Sequence, residues 1–274
     1  MPLSALLLAL AAAVVHACWN VLLSGHEDTH SATAVAIVVG VLVFAPVAAL
    51  TWRIEDSAWP YIAASSAFEL LYLVLLASGY ARTTMSFVYP IARGSAPVIV
   101  LAISVLALGV AVSVAAAAGV IVIAVGIVLV RGLKSAGNVR ELGLALAVGG
   151  CIASYTLIDK HGIAHANPIA YIEVIFAVVS VGYVGGTLRM RGAAALRGAV
   201  GPSTLIAGVG FFGAYALALA ALQIASAASV AAVRETSVLL ATIWLALSGR
   251  ERVTAERLAG AVAVVAGIVL VSLG

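Results

Sequence analysis

Long apolar stretches make up most of the chain, and short polar segments separate them. A helix needs about 20 predominantly apolar residues to cross the hydrocarbon core of a bilayer. None of the runs shows the apolar–polar alternation that is typical of a strand. Ten runs of suitable length cover residues 3–24, 31–51, 58–79, 83–108, 112–131, 141–160, 167–189, 203–223, 226–248 and 255–273. The pattern therefore predicts an all-α, polytopic membrane protein with ten transmembrane helices.

Composition supports this interpretation and excludes several classes of protein. The chain is 64% hydrophobic and 9% charged, with a mean hydropathy of +1.21. Because a soluble domain has about 25% charged residues, we expect the lipid bilayer to surround most of this chain. The net charge of +3 is small and no basic tract is present, so we expect no nucleic-acid partner.

The second half of the chain repeats the first half. An offset of 141 positions carries Arg93 onto Arg234, and it carries residues 126–130 onto the identical residues 267–271. We therefore predict two five-helix repeats, residues 1–131 and 141–274. Because five is an odd number, the second repeat enters the membrane from the opposite side. Such inverted repeats are a common plan of secondary transporters, with the substrate site at the repeat interface.

The segment from Tyr89 to Pro97 stands out within the fourth run. It reads Tyr-Pro-Ile-Ala-Arg-Gly-Ser-Ala-Pro. An arginine at membrane depth costs about 3 kcal/mol on insertion scales, so Arg93 is expected to face the protein interior. The two prolines and Gly94 predict a broken or kinked span. The backbone N–H groups of an opened helix, together with Arg93, favour an anionic ligand.

Ionisable and aromatic side chains inside the spans are the candidate functional residues, since a charge at membrane depth is usually functional. We predict that the substrate contacts Arg93, His16, Trp19, Asn20, Tyr72, Tyr89, Tyr155 and Arg234. We predict proton coupling by Glu69, Glu173 and Glu235, because a carboxyl group away from water can carry a proton. Charges of both signs favour a zwitterionic or anionic small molecule, and arginine offers a planar fork to carboxylate or phosphonate oxygens.

A purely structural role is the alternative for each of these residues. Arg93 and Arg234 would then pair with Glu69 or Glu235 and hold the helices together. His16 would be a hydrogen-bonded packing residue, and Trp19 and Tyr72 would be packing aromatics.

Two further motifs are weaker evidence of a binding site. Residues 208–213 fit the pattern G-x-G-x-x-G, but they lie inside a span with no preceding strand, so we expect helix packing and no dinucleotide cofactor. His26, Glu27, Asp28 and His30 are interpreted as a solvated loop, and we predict no metal site.

The ten spans and the quoted motifs resemble the EamA-type transporters of the drug/metabolite transporter superfamily. Residues 16–20, His-Ala-Cys-Trp-Asn, resemble the HAxWN signature of one branch, and the segment from Tyr89 to Pro97 resembles the fourth span of that branch. Membrane proteins associated with phosphonate utilisation belong to this branch. The resemblance implies a proton- or gradient-coupled carrier of small metabolites in the cytoplasmic membrane, often an exporter, and not an enzyme.

The orientation in the membrane has two solutions. Ten cations follow odd-numbered spans: Arg82, Arg131, Lys134, Arg140, Arg189, Arg191, Arg197, Arg250, Arg252 and Arg257. The positive-inside rule puts these residues in the cytoplasm and both termini outside. The family resemblance implies the opposite, with both termini in the cytoplasm.

A secondary transporter of a small polar metabolite is the leading functional hypothesis. A multidrug or cation efflux carrier is the alternative within transport, although two buried arginines disfavour a cationic substrate. A receptor or assembly subunit that does not transport, and an intramembrane enzyme, are the other two classes. The oligomeric state, including a homodimer, stays open.

Overall fold

The protein is a bundle of helices. The structure, a computed structural model, describes residues 1–82, 85–131, 139–247 and 254–273, without the side chains of 77–82, 85–87, 89, 90, 131, 241, 242 and 245–247. The α-helices of these ranges are α1 Leu3–Ser24, α2 Thr29–Leu50, α3 Trp59–Arg82, α4 Met85–Leu106, α5 Val114–Arg131, α6 Val139–Gly162, α7 Pro168–Gly198, α8 Pro202–Ile224, α9 Ala227–Arg234, α10 Ser237–Leu247 and α11 Ala255–Leu273. The described residues form no sheet, so the all-α prediction is confirmed.

Within the described ranges, seven helical segments are long and apolar enough to cross a membrane, so the protein is a multi-pass membrane protein. They are Leu3–Ser24, Thr29–Leu50, Asp56–Leu76, Val139–His165, Pro168–Gly198, Pro202–Ile224 and Ala255–Leu273. Helices α4 and α5 contribute shorter apolar stretches, Ile91–Leu106 and Val114–Val130. The ninth predicted span consists of two short helices, α9 and α10. The number of ten spans therefore stays a prediction.

The span around Arg93 is not broken, so this part of the prediction is wrong, whereas the alternative of a kinked helix stays a prediction. Helix α4 continues through Arg93 and both prolines. A proline removes one helical hydrogen bond, and its fixed φ suits a helix, so neighbouring elements can keep such a helix intact. Gly94 serves close packing: a Cβ atom added there would lie 3.1 Å from the carbonyl oxygen of Ala124 on α5.

A helix break occurs instead at the equivalent place of the second repeat. Helix α9 ends at Arg234, Glu235 and Thr236 form a turn, and α10 begins at Ser237. The N–H group of Thr236 bonds to the carbonyl oxygen of Val233, three residues earlier, at 3.1 Å. This tighter turn places Arg234 and Glu235 at the end of a helix, deep in the protein.

Most of the helix packing joins one repeat to the other. Helix α1 packs on α8 just as α6, its counterpart, packs on α3. Likewise, α4 packs on α6, and its counterparts α9 and α10 pack on α1. Helices α2 and α7 are counterparts that pack on each other, and so are α5 and α11. The two repeats therefore share one interior, and neither has a separate core.

The contact between α5 and α11 shows this relation at the level of single atoms. A Cβ atom added at Gly119 would lie 2.7 Å from the carbonyl oxygen of Gly267, and one at Gly267 would lie 2.8 Å from that of Gly119. Gly126 and Gly260 approach each other in the same reciprocal way. Both approaches are too close for any side chain. The offset of 141 positions carries Gly119 onto Gly260 and Gly126 onto Gly267, so each glycine of α5 contacts the counterpart of the other glycine of α5. The two helices therefore run antiparallel across a two-fold axis.

One end of the bundle is held together by backbone bonds between the repeats. We call residues 53–55 and 165–167 the sealed end. The N–H group of Glu55 donates to the carbonyl oxygen of His165 at 3.0 Å, and that of Asn167 donates to the carbonyl oxygen of Arg53 at 2.7 Å. An isolated antiparallel bridge joins Ile54 and Ala166 between them. These bonds tie the α2–α3 connection to the α6–α7 connection.

Candidate functional site

Arg93 forms a buried ion pair that links the two repeats. Its Nη1 donates to both carboxylate oxygens of Glu235 at 3.0 Å, and its Nη2 lies 3.2 Å from Nε2 of His16 on α1. Arg93 and Glu235 are 5% and 1% exposed. Two paired charges with several hydrogen bonds are far less costly in an apolar interior than either charge alone. The interaction ties α4 to the turn between α9 and α10.

Arg234 has aromatic partners instead of a carboxylate. Its Nη2 donates to the hydroxyl oxygen of Tyr155 on α6 at 3.1 Å, and its Cζ lies 4.9 Å from the ring centroid of Tyr215 on α8. It is 8% exposed. In the described part of the chain, no carboxylate oxygen lies within 4.0 Å of its guanidinium. Glu235, already bonded to Arg93, attracts it only from longer range. Arg234 is thus a buried cation with room for an anionic partner.

A cavity of about 370 Å³ connects this region with one end of the bundle. Its inner part is lined by His16, Trp19, Asn20, Glu69, Tyr72, Arg93, Tyr155, Phe211, Tyr215 and Arg234. Its outer part is lined by Ser24, Glu27, Asp28, Thr29, His30, Thr33, Tyr183 and Arg191, among which Ser24, Glu27, Thr29 and Arg191 are exposed. We call this outer part the mouth. No residue of the sealed end lines the cavity, which among the described residues opens through the mouth at the opposite end of the bundle. The volume suits a small metabolite.

Three buried polar atoms in the cavity wall are available to a ligand. Nε1 of Trp19, Oε1 of Glu69 and the hydroxyl of Tyr215 make no well-aligned hydrogen bond to the described residues, although the Tyr215 hydroxyl lies close enough to Glu69 to stabilise its charge. Buried polar groups in proteins are nearly always paired. Edge-to-face contacts with His16 at 4.7 Å and with Phe211 at 4.9 Å hold the Trp19 ring. The wall thus offers two uncharged donors and one acidic acceptor.

Asp28 and its neighbours shape the mouth. The Asp28 carboxylate caps α2 by accepting hydrogen bonds from the backbone N–H and the hydroxyl of Ser31, at 3.2 and 2.6 Å. Partial burial raises the pKa of Asp28, but the hydrogen bonds from Ser31 outweigh it, so this pKa lies below its usual range. The carboxylate therefore stays ionised at neutral pH and keeps a negative charge at the mouth.

The structure brings most of the predicted substrate residues together. His16, Trp19, Asn20, Tyr72, Arg93, Tyr155 and Arg234 all line the cavity. The side chain of Tyr89 lies outside the described residues. Asn20 uses its amide N–H within its own helix, where it donates to the carbonyl oxygen of His16 at 3.1 Å.

The three carboxylates predicted for proton coupling differ in their surroundings. Glu69 lines the cavity. Glu235 does not line the cavity, and its carboxylate is bonded to Arg93. Glu173 on α7 is buried and lies outside the cavity wall, and its Oε2 has no hydrogen-bond partner in the described part of the chain. Of these three carboxylates, Glu69 is therefore the one that a ligand in the inner part of the cavity would contact.

Helix α8 supplies two residues that sequence reasoning missed, Phe211 and Tyr215. Their spacing of four places both rings on one helical face, beside the cavity. The sequence contained a signal, since Tyr215 is a hydroxyl-bearing residue within an apolar run. Gly210 lets α8 approach α1: a Cβ atom there would lie 3.2 Å from Cβ of Trp19. Gly208 packs closely on α2 in the same way, whereas a Cβ atom at Gly213 would meet no atom within 4 Å. The interpretation as packing residues therefore holds for two of the three glycines at 208–213.

The comparisons with known proteins agree with this architecture. The chain matches the EamA-like transporter family twice, over residues 3–132 and 140–273, which confirms the predicted family. A similar solved structure, described as "Crystal structure of protein", has a TM-score of 0.78 and 15% sequence identity, and the match covers 100% of this chain and 98% of that chain. A likeness at this identity shows the fold alone. The comparison with curated proteins gave no match.

Proposed function

We propose, since this chain belongs to the EamA-like transporter family, that it is a secondary active transporter that exports a small polar metabolite, zwitterionic or anionic, across the cytoplasmic membrane. The observation that carries the choice of substrate is Arg234. It is a buried cation in the wall of the cavity, and its described partners are a hydroxyl and an aromatic ring.

Two opposite charges in the wall support a zwitterion in particular. Arg234 offers a planar, bidentate donor to a carboxylate or phosphonate group. Glu69 offers an acceptor for an ammonium group, and Trp19 adds an N–H donor. A wholly cationic ligand would meet the uncompensated charge of Arg234, which argues against the efflux of cations.

The exchange of packing partners between the repeats supports alternating access. We propose that the ten predicted spans form two inverted repeats, and that α5 and α11 cross at the symmetry axis between them. In transporters of this plan, one repeat moves against the other around a fixed central site. The present conformation has the mouth at one end and the backbone bonds of the sealed end at the other.

Glu69 is the proposed site of proton coupling in the cavity. It shares the wall with Arg234, so a proton on Glu69 and a substrate beside it influence each other through charge. A charged carboxylate is costly in an apolar interior unless it is paired. Binding of either a proton or an ammonium group relieves that cost, and this competition is a mechanism of exchange.

Uptake into proteoliposomes tests the proposal. The probes are the twenty amino acids, 2-aminoethylphosphonate and the tetraphenylphosphonium cation, each with and without a pH gradient. We expect accumulation of at least one zwitterionic probe that depends on the gradient and loses that dependence in Glu69→Gln. Glu256→Gln, at an exposed position of α11, is the matched control.

Two outcomes would contradict the proposal. Accumulation of tetraphenylphosphonium alone would favour the cation carrier. Binding of a zwitterion without transport in either direction would favour a receptor with this fold.

A further inference from the structure

We propose that Asp159 is a second proton-binding carboxyl group, located between the cavity and the sealed end, and that Tyr171 positions it. The inference rests on the proposed function, because a second proton site has a role in transport only if the carrier is coupled to protons. It concerns a residue outside the cavity wall, and the structure brings it close to titratable groups of both repeats.

Asp159 is almost fully removed from solvent. It lies on α6, three residues before the helix ends, and is 1% exposed. The hydroxyl of Tyr171 on α7 donates to its Oδ1 at 3.1 Å. Among the described residues, no Lys, Arg or His nitrogen lies within 4.0 Å of its carboxylate. The Ser65 hydroxyl on α3 also lies close enough to stabilise its charge, without a well-aligned hydrogen bond. An ionised carboxylate that has only neutral hydroxyl neighbours is costly in such a place, and binding of a proton removes the charge.

Asp159 in turn makes the ionised form of Glu69 less favourable. The two carboxyl groups repel each other when both are charged. The surrounding titratable or charged groups are Glu69 and Tyr61 of α3, Lys160 and His161 of α6, Tyr171 of α7, Tyr215 of α8 and Arg234 of α9. Lys160 directs its Nζ to the carbonyl oxygen of Leu222, and Arg234 acts on Asp159 only from longer range. Two carboxyl groups that share one interior in this way share protons.

The positions along the helices separate the roles of the two carboxyl groups. Asp159 lies about 5 Å along the axis from the end of α6, next to the sealed end. Glu69 lies about 15 Å from the start of α3 and lines the cavity. The hydroxyl of Ser65, one turn before Glu69, is buried and makes no well-aligned hydrogen bond within the described ranges. No described hydrogen bond joins Asp159 to Glu69.

Titratable side chains continue from Asp159 to the surface at the sealed end. Tyr171 and Tyr61 both flank Gly162, where a Cβ atom would collide with the Tyr171 hydroxyl and lie 2.7 Å from Cβ of Tyr61. Tyr61 stacks on His165, with ring centroids 6.3 Å apart. His165 in turn pairs with the exposed Glu55 at 3.1 Å.

This arrangement gives the proton a route with one interruption. A proton that enters at the sealed end binds to the Asp159 carboxylate, which becomes neutral. It moves on when Asp159 releases it and the Glu69 carboxylate accepts it, so each transfer conserves one proton. Because no described hydrogen bond joins Asp159 to Glu69, protons do not cross the protein continuously. A movement of α3 against α6 would bring the two carboxyl groups into contact.

Infrared difference spectroscopy of the full chain in nanodiscs tests the proposal without a substrate. Spectra recorded between about pH 5 and pH 9 show the C=O stretching band of each carboxyl group that binds a proton in this range. We expect Glu69→Gln to remove one band and Asp159→Asn to remove another, whereas a band of the buried Glu173 stays in both variants. Tyr171→Phe should shift the Asp159 band, because the C=O group loses its hydrogen bond, and leave the Glu69 band in place. Glu256→Gln should remove neither.

An unchanged spectrum in Asp159→Asn would overturn the proposal, because Asp159 would then stay in one protonation state throughout. If Asp159→Asn does not fold, Tyr171→Phe decides alone: a spectrum in which no band is shifted would overturn the proposal. The outcome is separable from that of the transport assay. Failure of every probe to be transported, with the Asp159 band present, refutes the proposed function and leaves the proton site in place.

Discussion

The two buried arginines occupy the same place in the two repeats but have different partners. Arg93 and Arg234 are 141 positions apart, and each contacts a ring on the first helix of its own repeat, His16 or Tyr155. Only Arg93 has a carboxylate bonded to it. That carboxylate belongs to Glu235, for which the first repeat has Gly94 as its counterpart.

The difference assigns different roles to the two positions. One glutamate neutralises one arginine, and the pair holds α4 to the α9–α10 turn. The other arginine keeps its charge next to the cavity, held by a hydroxyl and a ring. The repeat thus places a cation at the same position of each half. Because Glu235 stands where the first repeat has Gly94, Arg93 has a bonded carboxylate, and we propose that Arg234 is the cation that binds a ligand.

The largest expected effect comes from removing the counter-ion of Arg93. Glu235→Gln leaves a buried guanidinium without its carboxylate, and we expect a loss of about 3–5 kcal/mol in the free energy of unfolding. SDS titration in mixed micelles measures it, with Glu256→Gln as the control. The double variant Arg93→Gln/Glu235→Gln should regain most of the loss, because it removes both charges. Equal stabilities of Glu235→Gln and Glu256→Gln would contradict the structural role of the pair.

Arg93→Lys should have the next largest effect. It keeps the charge but loses the second Nη group that contacts His16, so we expect the free energy of unfolding to fall by about 2 kcal/mol. The same SDS titration measures the change. An unchanged stability would indicate that the geometry of the fork is unimportant at this position.

Variants at Tyr155 and Tyr215 test how Arg234 is held, and their expected effects on stability are smaller. Tyr155→Phe removes the hydroxyl that accepts from Arg234, and we expect a loss of about 1.5 kcal/mol in unfolding free energy. Tyr215→Phe keeps the ring over Arg234 and removes a hydroxyl that makes no well-aligned hydrogen bond to the described residues, so the change should stay within about 0.5 kcal/mol. Equal losses in the two variants would show that the Tyr155 hydrogen bond does not hold Arg234.

The sequence predicted much of the site because membrane burial makes polar residues conspicuous. His16, Trp19 and Asn20 lie on one face of an apolar helix, and that face borders the cavity. The two arginines could be recognised as buried from the cost of a charge in lipid.

The sequence could not predict which arginine has the counter-ion. That depends on the turn at Glu235 and Thr236, which directs the carboxylate towards α4, and on the packing of helices that are distant in the chain. Prolines and a glycine near Arg93 pointed to a break there, but α4 is continuous and Gly94 lies in close contact with α5. Tyr215 was missed for a related reason: its neighbours Arg234 and Tyr155 come from other helices.

The affinity of Arg234→Gln for a zwitterionic probe tests the central claim most directly. The probe is the zwitterion of the panel that binds the unaltered protein most tightly by isothermal titration calorimetry, and Arg93→Lys is the comparison variant. We predict that Arg234→Gln lowers the affinity at least tenfold, or about 1.4 kcal/mol, and that Arg93→Lys changes it less than about threefold. A tenfold loss in Arg93→Lys with unchanged affinity in Arg234→Gln would contradict the account and return the anion site to Arg93.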